Sequence, residues 1–197
     1  MSSQPDVSAA AVPHSEGSSV TRPTLAQLLV IVSVVVITAG ALVLIDHRFG
    51  PDVRPAQTPS GWTPVYGEGF ALSLPASWDV TTSASDLADA GIPDAVMVGA
   101  IGNSDQQTPD ALAVVVSRPG TAATLASSIG GLGRGTPTTI PAGDATMYQV
   151  GSAEMTGQAW LLDHDGTAWG IFVVVRNGSS YSADDVAPKI ADTFDIG

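Results

Sequence analysis

The stretch Gln158-Ala159-Trp160-Leu161-Leu162-Asp163-His164-Asp165-Gly166-Thr167-Ala168-Trp169-Gly170-Ile171-Phe172-Val173-Val174-Val175-Arg176 decides what kind of domain this chain builds. Two apolar runs, Gln158–Leu162 and Trp169–Arg176, flank Asp163-His164-Asp165-Gly166, a four-residue connection with an Asp-Gly turn signal, and this predicts a β-hairpin. From Ile171 to Val175 every residue is apolar. A strand with one wet face would alternate, so this one is expected to be covered on both faces, at the centre of a sheet.

Further strands are read outward from that centre. Phe70, Leu72 and Leu74 alternate with Ala71 and Ser73 and stop at Pro75, the pattern of a half-buried strand with a terminator. Val96–Ile101 and Leu112–Val116 are short runs dense in aliphatic residues, and Thr146–Val150 is another candidate. Helical signals lie between them. Ser83-Ala84-Ser85-Asp86 matches a capping box and opens a short segment that Gly91 can close. Thr121 precedes Ala122, Ala123, Leu125 and Ile129, with Gly130 behind them. Ser182-Ala183-Asp184-Asp185 is a further capping box, and Val186, Ile190 and Phe194 fall on one helical face. Pro188 either kinks this last helix or marks the start of its regular part.

The N-terminal third has a different character. Residues 1–23 are Ser, Ala, Pro, Gln and Gly with scattered charge, a composition that buries too little surface to offset the entropy of ordering, so a disordered tail is expected. Leu25 to Ile45 is a predominantly apolar run without a charged side chain. As a helix it would extend roughly 30 Å, the thickness of a bilayer core, and residues 24–46 are therefore expected to form one transmembrane helix. The competing reading, a cleaved signal peptide, finds a small-x-small site at Ala39-Gly40-Ala41, but cleavage there leaves Leu42-Val43-Leu44-Ile45 on the mature end. The chain has no cysteine, which excludes a lipid anchor on an acylated Cys. Residues 47–60, punctuated by Gly50, Pro51, Pro55 and Pro59, are expected to be a Pro-rich linker. Residues 61–197 then make a single domain, long enough to hold a core of its own.

Arg22 precedes the apolar run while Arg48 and Arg54 follow it, so flanking charge does not orient it. The domain contains one lysine, Lys189, among many Ala, Gly, Thr, Val and Asp, a composition resembling exported domains of high-GC bacteria. The expected location is a single-pass protein of the cell membrane with the C-terminal domain extracytoplasmic.

Charge bounds the partners. The chain carries a formal net charge of −12, and from Gly61 onward fifteen Asp and Glu face Arg118, Arg134, Arg176 and Lys189, a net of −11. Such a surface repels phosphate backbones and anionic headgroups, so no nucleic acid partner is expected. It serves solubility, or it is a docking face for a basic partner or divalent cations.

Gly69-Phe70-Ala71-Leu72-Ser73-Leu74-Pro75-Ala76-Ser77-Trp78 resembles the opening strand of the PsbP-like fold, an aromatic-aliphatic strand ending in Pro, small residues and Trp. Ile190-Ala191-Asp192-Thr193-Phe194-Asp195-Ile196 is similar to the closing helix of the same domains, a pattern shared by LpqN-type proteins of actinobacterial envelopes. The two matches cover about seventeen residues at the domain's ends. The resemblance implies an α/β (α+β) fold, an α/β/α sandwich with a central antiparallel sheet, preceded here by the transmembrane helix. It also implies function by binding, with no catalytic residues to carry over. The spanning helix, where many LpqN-type relatives carry a lipid anchor, and a short middle of the domain are departures that weaken any claim to a particular envelope partner.

Each group that suggests chemistry has a plainer role beside it. His164, the domain's one histidine, sits between Asp163 and Asp165, a grouping that invites a base or metal ligand, but neighbours in a hairpin turn project in different directions. The same residues fail as a calcium loop, because Gly166 falls fourth where the sixth position is needed. Gly130-Gly131-Leu132-Gly133-Arg134-Gly135 follows a helix and precedes Thr136-Pro137, the reverse of a phosphate loop's context. It is read as a connector whose Arg134 tip is a candidate contact. Asn103, Asp105 and Asp110 match no standard cation site. Trp62, Trp78, Trp160 and Trp169 would line an aromatic groove for a glycan or lipid, or else pack in the core, Trp160 and Trp169 as a cross-strand pair. No Gly-x-Ser-x-Gly, Ser-x-x-Lys or His-Glu-x-x-His motif occurs.

Catalytic, cofactor-binding and metal sites are therefore all expected to be none. The function expected is a non-enzymatic binding or accessory module of the bacterial envelope that docks an envelope protein. The alternative is a carrier or sensor holding a lipid, glycan or small molecule between sheet and helices.

Overall fold

The computed structural model describes residues 53–89, 94–102, 109–130 and 132–197. The disordered tail, the transmembrane helix and the first part of the linker expected from the sequence lie outside the described residues, as do Asn103, Asp105 and Gly91. Among the described residues no helix is long and apolar enough to cross a membrane.

Among the described residues ten strands and three helices follow in the order β1 (Trp62–Gly67), β2 (Phe70–Pro75), β3 (Asp79–Thr81), α1 (Ala84–Asp89), β4 (Ala95–Ile101), β5 (Ala111–Pro119), α2 (Ala122–Ser128), β6 (Thr136–Ile140), β7 (Gly143–Gly151), β8 (Met155–His164), β9 (Thr167–Arg176), α3 (Ala183–Ala191) and β10 (Asp195–Ile196). Seven form one sheet in the order β3-β4-β5-β9-β8-β7-β6, antiparallel throughout. The other three form a small sheet, β1-β2-β10. The domain is α+β, mostly antiparallel sheet with a few helices.

β9 is the central strand, as its unbroken apolar run requires. Ile171, Val173 and Val175 face one side with Trp169, packed among Phe70, Leu72, Leu74, Ile190 and Phe194. Ala168 and Val174 face the other, with Leu125 and Leu161. The helices divide accordingly: α3 and the small sheet cover the first face, and α1 and α2 cover the second. The expected sandwich thus has a helix-plus-sheet layer on one side instead of helices alone.

The small sheet is the main departure from the sequence reading. β2 was expected to be half-buried, yet Phe70 to Leu74 are all buried. It is the middle strand of its sheet, flanked by β1 on one edge and by β10 at Ala71 and Phe70 on the other. The closing helix expected over 190–196 stops at Ala191, and its last residues become β10. α3 runs through Pro188 from Ala183, and Ser182 at its N-cap makes no side-chain hydrogen bond, so the expected capping box does not form. At α2 the box is present between Thr121 and Thr124.

The domain's contacts begin upstream of Gly61. Residues 53–60, the end of the expected linker, run as a strap along β2 and the end of α3. The Ala56 N–H donates to the Thr193 carbonyl (3.0 Å), and the Ser73 hydroxyl donates to the Gln57 carbonyl (3.1 Å) and meets the Thr58 hydroxyl at 3.1 Å. Thr193 joins the layers: its Oγ1 accepts from the Ser73 N–H at 2.8 Å and donates to the Ile190 carbonyl at 2.8 Å. Ser73 and Thr193 are both fully buried. Where β10 ends its pairing with β2, side chains and the strap take over β2's remaining polar groups.

Both outer hairpins blunt their free edges. β1–β2 and β6–β7 turn on two residues each, closing at Gly67–Phe70 and Ile140–Gly143. Pairs alternate between bonded and non-bonded along an antiparallel ladder. Pro64 and Pro137, each three residues before the closing pair, therefore point their N–H-less nitrogens outward, where an added strand would need a donor. Both edges disfavour recognition by strand addition.

Thr193→Val keeps the shape of the side chain but leaves the buried Ser73 N–H without its acceptor. Chemical denaturation is expected to show a loss of about 1–3 kcal/mol.

Candidate functional site

The hairpin that carries His164 has a tighter turn than the four residues expected. β8 continues to His164 and β9 begins at Thr167, leaving Asp165 and Gly166 as the turn, with φ of 46° and 77°. Two consecutive left-handed residues make the turn that best matches strand twist, and Asp-Gly tolerates it. Asp163 and His164 are thus strand residues and point to opposite faces. The Asp163 carboxylate turns toward α2 and accepts the Ala122 N–H, satisfying one of that helix's free donors. His164 on the other face lies 3.8 Å from Asp165, whose side chain is 95% exposed. The three residues do not converge, which explains the turn by backbone geometry and cap chemistry alone.

Asp110 is drawn off in a different direction. Its carboxylate takes hydrogen bonds from the Arg176 guanidinium, with Nε at 3.0 Å, while the Asp110 carbonyl accepts the Arg176 N–H at 2.8 Å. The pair clamps the start of β5 to the end of β9. Arg118 is similarly occupied, 3.8 Å from Asp94 and donating to the Thr124 carbonyl at 3.0 Å. Among the described residues no group of three or more His, Cys, Asp or Glu is placed to hold a metal ion.

The four tryptophans share one layer, between the large sheet and its α3 side. Trp78, Trp160 and Trp169 are buried in that core and Trp62 packs against it. Trp169 meets Phe70 edge-on at 5.8 Å and Phe194 at 6.1 Å, and Trp78 meets Tyr181 edge-on at 6.2 Å. Trp160 and Trp169 are not cross-strand partners, since Trp160 lies opposite Ile171 and Trp169 opposite Leu162. These rings are part of the core, the plainer of the two roles expected for them.

Glycines on the sheet give a direct reading of how full the two layers are. A Cβ on Gly170 would come within 2.8–2.9 Å of Phe172, Val116 and Leu161, toward the α1–α2 side. One on Gly99 would come within 2.5 Å of Leu74, toward the α3 side. The room that a missing side chain leaves at each point is already taken by a neighbour.

The connector at 132–135 is placed where sequence spacing gave no hint. Gly135 lies against β7, so that a Cβ there would meet Thr146 at 2.4 Å and the Tyr148 ring at 2.8 Å. Arg134, the residue before Gly135, is exposed, and Leu132 and Tyr148 are partly buried against the core on this side of the sheet. Tyr148, Ala159 and Phe172 stand in one row across β7, β8 and β9, with Tyr148 and Phe172 only partly covered. An arginine thus borders an aromatic-aliphatic shoulder on an otherwise acidic domain. Arg134 had been legible as a loop tip; its neighbour Tyr148, on the following hairpin, was not.

No family model matches the chain, and no curated protein matches it. Solved structures do. The fold is similar to the solution structure of cyanobacterial PsbP (CyanoP) from Synechocystis sp. PCC 6803, with a TM-score of 0.48 and 13% identity over 71% of this chain and 94% of that one. It is also similar to a crystal structure from Bacteroides thetaiotaomicron VPI-5482, with a TM-score of 0.41 and 12% identity over 65% of this chain and 45% of that one. At these identities and TM-scores the likeness does not extend to site residues.

If the layer over Gly170 is full, Gly170→Ala forces its neighbours apart. The expected loss is about 1–3 kcal/mol in denaturant unfolding. Gly133→Ala, with nothing within 4 Å of the new methyl, is expected to leave stability unchanged.

Proposed function

We propose that this chain is a membrane-anchored, non-enzymatic binding or accessory module of a bacterial cell envelope, of the PsbP-like, LpqN-type kind, whose acidic domain docks an envelope protein. The observation that supports the reading is that the domain's own side chains occupy the space beside Gly99 on one face of the sheet and beside Gly170 on the other. A carrier would hold its ligand in one of those layers, and a concave apolar chamber is what such ligands require. Docking uses the outside instead. The net charge of −11 from Gly61 onward favours a partner with a basic face. The shoulder of Leu132, Tyr148 and Phe172 supplies apolar contact, and Arg134 at its rim supplies a charge of the opposite sign that sets orientation. The apolar run Leu25–Ile45 supplies the anchor.

Proximity cross-linking from the domain in native membranes, beside protease shaving of intact spheroplasts, tests this reading. The expected result is a domain shaved from outside that captures one defined envelope protein, with capture weakened by Arg134→Ala. Reproducible recovery of a lipid or glycan without a protein partner would replace docking by the carrier reading. Protection from the protease would overturn the extracytoplasmic placement.

A further inference from the structure

The strap decides at which end of the domain the chain enters. The sheet has two ends. One carries the turn at Asp165-Gly166 and the β1–β2 turn at Glu68-Gly69; the other carries the Asp110–Arg176 clamp and the 177–182 connection to α3. Gly61, where the folded domain was expected to begin, lies toward the second end. Its carbonyl accepts from the Ala76 N–H, Trp62 pairs with Pro75, and the adjoining Trp78 packs against Tyr181 in the 177–182 connection. Val53 lies at the first end. Its side chain sits against Gly197, whose N–H donates to the Gly69 carbonyl, and a Cβ on Gly69 would stand 3.8 Å from Trp169. Between the two, Ala56, Gln57 and Thr58 are bonded to Thr193 and Ser73. The strap therefore carries the chain's entry point from one end of the sheet to the other.

We propose that the strap sets the domain's orientation on the bilayer, holding the Glu68 and Asp165 end toward the membrane and presenting the Arg176 end to partners. This rests on the reading of Leu25–Ile45 as the anchor. Six residues, 47–52, then separate the span from Val53, a reach of about 20 Å at full extension. The ten residues of β9 rise about 3.3 Å each, so the Arg176 end stands roughly 30 Å beyond the first. With the strap released, the fourteen linker residues, reaching roughly 50 Å, would join the span to Gly61 at the opposite end, and the preference would vanish or reverse. The end turned toward the bilayer carries Glu68, Asp144, Asp163 and Asp165. Those carboxylates repel anionic headgroups and oppose flat adsorption of the domain, so that it stands off the surface on its short tether.

The chain lacks cysteine, so single probes are placed without background. Glu68→Cys and Ser180→Cys, both at exposed positions, label the two ends of the full chain. Each labelled protein is reconstituted in vesicles of phosphatidylcholine and phosphatidylglycerol with an acceptor dye on a fraction of the headgroups, and energy transfer is read. The expected result is stronger transfer from position 68 than from position 180. In the Ala56→Pro/Ser73→Ala background, which removes the strap's N–H donor to Thr193 and its hydroxyl partner on β2, with folding checked by circular dichroism, the difference is expected to disappear or invert. Equal transfer from the two positions of the otherwise native, membrane-inserted chain would overturn the orientation proposal while leaving the anchor intact. A chain that does not float with the vesicles and gives no transfer from either position would overturn the anchor reading, and the orientation with it.

Discussion

The burial of β9 on both faces is the constraint from which the rest of the architecture follows. A strand apolar at every position from Ile171 to Val175 needs an apolar cover on each side. On one side two short helices suffice, with Leu125 of α2 and Leu87 of α1 set over the Val and Ala residues of β4, β5, β8 and β9. The other side is bulkier, with Trp160, Trp169 and Met97 standing up from the sheet. One nine-residue helix cannot cover them all. The small sheet completes the cover, and Phe70, Trp169 and Phe194 interlock where helix, small sheet and large sheet meet.

Placing β2 inside that cover creates a second demand. It is buried from Phe70 to Leu74, so each backbone polar group there needs a partner. β1 serves one edge. On the other, β10 is two residues long, and beyond it the Thr193 hydroxyl accepts the Ser73 N–H while the strap partners the buried Ser73 hydroxyl. The strap is thus part of how the domain satisfies its core. Its consequence for function is positional, because a segment that enters the fold at Val53 fixes where any upstream anchor is attached.

Much of this was legible in the sequence, and the misses have physical causes. The central strand, its hairpin and the strands β4, β5 and β7 declare themselves by dense Val, Ile and Leu. β1, β3, β6 and β10 do not. Pro64 and Pro137 interrupt two of them at edge positions that tolerate proline, and the other two are only three and two residues long. Ser73 reads as the wet face of an alternating strand because the group that buries it, Thr193, is 120 residues away. The strap uses backbone groups and small hydroxyls, which leave no periodicity to detect. At the candidate site the same limit applies. Arg134 in its glycine-rich segment is visible as a loop tip, whereas its position beside Tyr148 arises from the pairing of β6 with β7 and of β7 with β8. In the hairpin, Asp165 and Gly166 were readable as turn residues, whereas Asp163 and His164, expected in the turn, belong to β8 and point to opposite faces.

The most direct measurement of the central claim, that the strap is integral to the fold, is native-state amide hydrogen exchange on the full chain. Protection at Ala56, which donates to Thr193, is predicted to rise and fall with that of Ser73 and of Val173 in β9 as denaturant is added, marking one cooperative unit. Exchange at Ala56 at the rate of an unstructured peptide, while Val173 stays protected, would contradict it and return residues 53–60 to the role of a free spacer.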